Sequence, residues 1–151
     1  MTPKEFVEAY LFDAVKNQVE TGVPLLVTLS QAALESGWGK YAKGNNFFGI
    51  KAFGWSGETV DSRTVEFIED KPVSITAKFR KYNSPAESFK DHAELLLRKY
   101  RKAFEFSDPV RFVRSMQNDH GYKYATDPNY AEKIGKLVER IKLIIINMEK
   151  L

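Results

Sequence analysis

A chain of 151 residues, 43% hydrophobic and 28% charged, is long enough to bury a core and reads as one globular domain over residues 1–151. It has no cysteine, which excludes disulfides and thiolate nucleophiles. Its two histidines, His92 and His120, are too few and too far apart for a histidine-based zinc site, so neither metal nor cofactor is expected. A net charge of +3 is explained by a mixed solvated surface and does not single out nucleic acid as a partner.

Thr2-Pro3-Lys4-Glu5 is a capping box with proline at the first helical position. The start lacks the basic-then-apolar pattern of a secretory signal. Phe6, Val7, Tyr10, Ala14 and Val15 recur at helical spacing and are expected in the core. Thr21-Gly22-Val23-Pro24 breaks this helix, and Pro24 suits the opening turn of the next. That second helix runs from Leu25 into Gln31-Ala32-Ala33-Leu34-Glu35-Ser36-Gly37-Trp38-Gly39, with Gly37 placed to end it in a left-handed conformation.

On the helical period Thr28, Gln31 and Glu35 share a narrow polar strip beside Leu25, Leu29, Ala32 and Ala33. Glu35 is therefore expected half-buried beside Trp38. Such surroundings disfavour the charged form, raise a carboxyl pKa and suit a general acid near neutral pH. The ordinary reading, a solvated or lysine-paired helix-end glutamate, is weakened on two counts. Glu35 stands at the unfavourable end of the helix dipole, and its neighbours are Leu34, Ser36, Gly37 and Trp38 rather than charges.

Gly44-Asn45-Asn46-Phe47-Phe48-Gly49-Ile50-Lys51 and Gly54-Trp55-Ser56-Gly57 read as irregular chain bearing aromatics. The period then changes. Val73, Ile75, Ala77 and Phe79 alternate with polar residues as a half-buried strand, with Thr64 to Ile68 as its partner. This hairpin forms a small β-lobe over residues 58–82. The side of Val65 and Phe67 is expected to pack on the domain, leaving Glu66 on the open side.

The remainder is helical. Ser84-Pro85-Ala86-Glu87 opens a helix with Phe89, Ala93, Leu96 and Leu97 inward, and in which His92 is expected to be packed or solvent-facing. Asp108-Pro109 starts another, carrying Val110, Val113 and Met116. Asp127-Pro128 starts the last, with Ile134, Leu137, Val138, Ile141, Ile145 and Met148 as its buried stripe. Leu143-Ile144-Ile145-Ile146 is too short an apolar run to span a membrane. The pattern predicts an α+β protein, mostly helical, with a small β-hairpin lobe.

Three segments in this order resemble glycoside hydrolase family 73, the bacterial peptidoglycan endo-β-N-acetylglucosaminidases that include autolysin catalytic domains. They are Gln31 to Gly39, Asn46-Phe47-Phe48-Gly49-Ile50-Lys51, and Tyr124-Ala125-Thr126-Asp127-Pro128-Asn129-Tyr130-Ala131; the strand ending Ala77-Lys78-Phe79-Arg80-Lys81-Tyr82 is also similar. Phe47 departs conservatively from the leucine common in members. The resemblance implies a lysozyme-like fold and cleavage of the β-1,4 bond between N-acetylglucosamine and N-acetylmuramic acid in glycan strands. It places Glu35 as catalytic acid, Glu66 as second carboxylate and Tyr124 at the reaction centre. Gln31, Trp38, Asn46, Phe48, Trp55 and Tyr130 become candidate substrate contacts, although for the aromatics core packing competes with that role. Inverting, retaining and substrate-assisted routes all stay open. A monomer acting on the cell wall is implied, by an export route the sequence does not give. The competing readings are a lytic transglycosylase or muramidase of the same fold, or a non-catalytic wall-binding module.

Overall fold

A computed structural model describes residues 1–148. Five helices, α1 (Pro3–Thr21), α2 (Leu25–Ser36), α3 (Pro85–Lys99), α4 (Pro109–Asn118) and α5 (Tyr130–Met148), form the body of the molecule. An antiparallel hairpin of β1 (Thr59–Ile68) and β2 (Lys71–Arg80) stands between α2 and α3 in the chain. This is the expected α+β, lysozyme-like architecture.

Helix α2 is the axis of the body and packs against α1, α4 and α5. Every residue from Val27 to Ala33 is buried. Full burial of a valine or leucine contributes roughly 1.5–3 kcal/mol, so Val27 and Leu29 alone outweigh the capping bond that Pro24 does not make, worth about 1 kcal/mol. Helix α1 supplies a substitute: Gln18 Oε1 accepts the Leu25 N–H at 2.7 Å. At the other end Gly37 adopts φ 58°, ψ 53°, and its N–H caps the Ala33 carbonyl. Ser36 Oγ donates to the Ala32 carbonyl at 2.6 Å and accepts from the Gly39 N–H at 2.8 Å. The chain therefore turns away directly after Glu35, which leaves that side chain at the rim of a cleft.

The capping boxes at Thr2 and Ser84 and the cap at Asp108 form as expected, except that the Glu87 carboxylate reaches the Asn83 N–H instead of that of Ser84. Two core assignments and one helix start are corrected. Val15 and Leu97 lie on outward faces, 40% and 38% exposed, and Asp127 heads a turn rather than the helix itself, which opens at Tyr130.

The hairpin reverses one expectation. Val60, Ser62, Thr64 and Glu66 share the half-buried face with Val73, Ile75, Ala77 and Phe79, while Val65 and Phe67 are 59% and 74% exposed. Register decides this, because Glu66 pairs with Val73 and Thr64 with Ile75, so the polar side of β1 follows the apolar side of β2 inward. At the hairpin base Arg80 Nη1 donates to Asp91 Oδ2 on α3 at 2.9 Å, and the Tyr82 hydroxyl donates to the same oxygen at 2.6 Å.

Candidate active site

A cleft of about 660 Å3 is lined by Leu34 and Glu35 of α2, Phe48 and Ile50 of the following loop, His92 and Tyr100, and Tyr124 and Tyr130. Glu35 remains open to the cleft by surface area, yet the surrounding protein desolvates its carboxyl enough to raise its pKa above the usual carboxylate range. A hydrogen bond from Tyr130 opposes that shift without cancelling it. The upward shift expected for Glu35 is present, with burial as its cause, while Trp38 packs elsewhere. That ring lies edge-on to Phe6 at 5.5 Å and under the Arg140 guanidinium at 5.4 Å, and it does not line the cleft.

Tyr130 is only 3% exposed and joins Gln31 to Glu35. Gln31 Nε2 donates to the Tyr130 hydroxyl at 3.0 Å, and that hydroxyl donates to Glu35 Oε1 at 3.5 Å. Gln31 is itself fully buried on α2. The chain from Gln31 through Tyr130 thus reaches the carboxyl, and Tyr130 also lines the cleft. Tyr124 lines the same wall, its ring 5.7 Å from that of Tyr130. Burial, followed by the neighbouring Tyr130 and Glu35, pushes the Tyr124 phenol well above its ordinary pKa, so it stays protonated.

The remaining expected contacts divide. Phe48 lines the cleft but is 6% exposed and stacks face to face on His92 at 3.7 Å, so it is both wall and core. Asn46 lies outside the cleft lining and clamps backbone: its amide donates to the Ile50 and Arg80 carbonyls at 2.9 and 3.0 Å and accepts the Ile50 N–H at 3.1 Å. Trp55 is also set apart from the cleft lining. Its indole N–H donates to the Glu58 carbonyl at 2.8 Å, and the Arg80 guanidinium covers its ring at 5.0 Å. Glu66 forms an ion pair with Lys51 and does not line the cleft either. Among the described residues no cluster of carboxylates and imidazoles could hold a metal ion, and no helix is long and apolar enough to cross a membrane.

The sequence missed His92, whose imidazole lines the cleft at 1% exposure, because a lone histidine on an amphipathic helix carries no signal of its own. Lys99 and the ion-paired Lys133 and Asp127, also in the lining, look in sequence like ordinary surface charges.

The family model described as mannosyl-glycoprotein endo-beta-N-acetylglucosaminidase matches residues 12–143. The peptidoglycan hydrolase FlgJ of Vibrio parahaemolyticus is 37% identical over 93% of this chain and 48% of its own length. The exo-glucosaminidase LytG of Bacillus subtilis is 39% identical over 78% of this chain and 44% of its own. The chain thus spans about half the length of these curated relatives. Among solved structures, the glycoside hydrolase domain of Salmonella typhimurium FlgJ superposes with a TM-score of 0.83 at 32% identity, covering 99% of this chain and 94% of that one. The catalytic domain of the autolysin Auto from Listeria monocytogenes gives 0.80 at 30% identity, covering 95% and 87%. With its fold, its cleft glutamate and its matching segments in agreement, the chain belongs to the glucosaminidase family of glycoside hydrolases.

Proposed function

We propose that this domain hydrolyses peptidoglycan glycan strands at the β-1,4 bond between N-acetylglucosamine and N-acetylmuramic acid, acting within the strand, with Glu35 as general acid. The observation that carries this reading is a desolvated carboxyl at a cleft rim, held by the Tyr130 hydroxyl that Gln31 fixes in turn. A carboxyl that keeps its proton towards neutral pH can deliver it to the leaving glycosidic oxygen. Tyr124, protonated and beside Glu35, faces the 2-acetamido group of the sugar. Glu66 serves as the second carboxylate when the hairpin closes over substrate and releases Lys51. The hairpin is tied to the domain at its base through Arg80, Tyr82 and Asp91, and along β2 by the loop at residues 50–52. Its exposed turn is free of such bonds among the described residues, which suits the hairpin to such movement. The enzyme works as a monomer on the extracytoplasmic wall.

Mass spectrometry of products from purified peptidoglycan tests the reading. Reducing-end N-acetylglucosamine on oligosaccharides of mixed length is the expected result. Release of single terminal sugars would make the enzyme exo-acting. Anhydromuramic ends would assign a transglycosylase, reducing muramic acid a muramidase, and absence of products a binding module.

A further inference from the structure

His92 has no part in the chemistry above, yet its ring lies in the cleft wall behind Tyr124. The imidazole is 1% exposed and sandwiched parallel to Phe48, with ring planes 6° apart. Its Nε2 lies 3.2 Å from the Tyr124 hydroxyl oxygen. Its Nδ1 is sealed from solvent and meets no hydrogen-bonding partner among the described residues. Burial pushes the pKa of the ring down to about 3, so it is neutral at working pH and carries one proton on one of its two nitrogens.

The surroundings decide which nitrogen. A proton on Nδ1 would be a buried donor with no acceptor, the orphan that folded proteins avoid most strictly. A proton on Nε2 leaves only an unpaired lone pair at Nδ1 and makes the close contact a bond from His92 to Tyr124. In that arrangement the Tyr124 oxygen is the acceptor, and its own hydrogen is not used by the protein. The tyrosine makes no other hydrogen bond among the described residues, and its open side is the cleft.

We propose that His92 is a positioning residue: as the Nε2–H tautomer it holds the Tyr124 oxygen as an acceptor and so presents the phenolic O–H to the cleft as a donor for the acetamido carbonyl of the substrate. This rests on the glycosidase reading of the cleft. A tyrosine whose hydrogen was committed to His92 would offer that carbonyl only a lone pair and would repel it. Phe48 keeps the imidazole plane, and therefore the direction of Nε2, fixed.

The tautomer is read without turnover. In protein carrying 15N-histidine only two rings are present, His92 and His120, and a His92 variant assigns them. Expected is a His92 spectrum with a protonated Nε2 and a bare Nδ1, unchanged across about pH 5–8, where an ordinary histidine titrates. An Nδ1–H tautomer, or a ring that titrates in that interval, overturns the proposal. Kinetics supply the second arm. His92→Phe should lower kcat about tenfold, the scale of one hydrogen bond, with KM little changed, and His92→Gln, which keeps a donor, should recover most of the loss. In a Tyr124→Phe background His92→Phe should cost nothing further; an additional loss of the same size contradicts action through Tyr124. Unchanged turnover in Tyr124→Phe alone overturns the underlying assignment of Tyr124, a result separate from the tautomer.

Discussion

The Tyr130 hydroxyl donates to Glu35 Oε1 at 3.5 Å from a residue 95 positions further along the chain. It is the one side-chain hydrogen bond to this carboxyl among the described residues, and it favours the ionised form against the burial that disfavours it.

Tyr130→Phe removes that bond and should raise the Glu35 pKa further. A general acid acts in its protonated form, so activity should persist to higher pH. At 3.5 Å the bond is long, and the alkaline limb should move up by a few tenths to about one pH unit. A pH profile of kcat/KM on soluble glycan fragments reads this directly, and a downward shift contradicts the assignment.

Trp38→Ser provides the contrast. The ring packs on Phe6 and under Arg140, away from the cleft. Its loss should lower stability by about 3 kcal/mol, the low end for truncating a large aromatic, because the ring is only half-buried, while leaving the alkaline limb in place. Thermal denaturation and the pH profile check the two halves. A limb that moved down would return Trp38 to the Glu35 environment.

Much of this arrangement was legible in the sequence. The glycine after Glu35, the polar strip of Thr28, Gln31 and Glu35, and the alternation of Val73 to Phe79 each translate a local rule into a local structure. The expected β1 strand is five residues short, because Val60 and Ser62 face inward with little apolar signal between Asp61 and Arg63. The face presented by Glu66 was read backwards, because pairing with β2 outweighed the hydrophobicity of Val65 and Phe67. Asn46, Trp38 and Trp55 sit in the matching segments or beside them, but whether such a side chain meets substrate or the protein's own backbone depends on contacts between distant segments. His92 illustrates the same limit, since only the fold places Phe48 and Tyr124 against it.

The buried imidazole also sets an acid limit to stability. The unfolded chain binds a proton at His92 near pH 6.5 and the folded one only near about 3. Between those values the unfolded state holds more protons, so stability falls as pH drops through this window and is fully present above it. The slope from this group is at most about 1.4 kcal/mol per pH unit. In urea titrations His92→Phe should flatten the pH dependence from pH 6.5 towards 4; an unaltered slope would mean that His92 is protonated in the folded protein.

The hairpin carboxylate is tested by comparison. Glu66→Gln should reduce turnover at least tenfold, whereas Glu69→Gln and Asp70→Asn, at the exposed turn, should change it less than about twofold. Because the Lys51–Glu66 pair is exposed, melting temperature should hardly move. Equal, small losses across the three variants would leave Glu35 acting with Tyr124 and the acetamido group of the substrate.

Turnover of purified peptidoglycan by Glu35→Gln, with sedimentation binding to the same material measured in parallel, addresses the central claim. The substitution keeps the shape of the side chain and its place beside Tyr130 but removes the transferable proton. The predicted result is unchanged binding and melting temperature with turnover reduced a hundredfold or more, about the least that general acid catalysis contributes. A folded Glu35→Gln variant that kept most of its lytic rate would contradict the account.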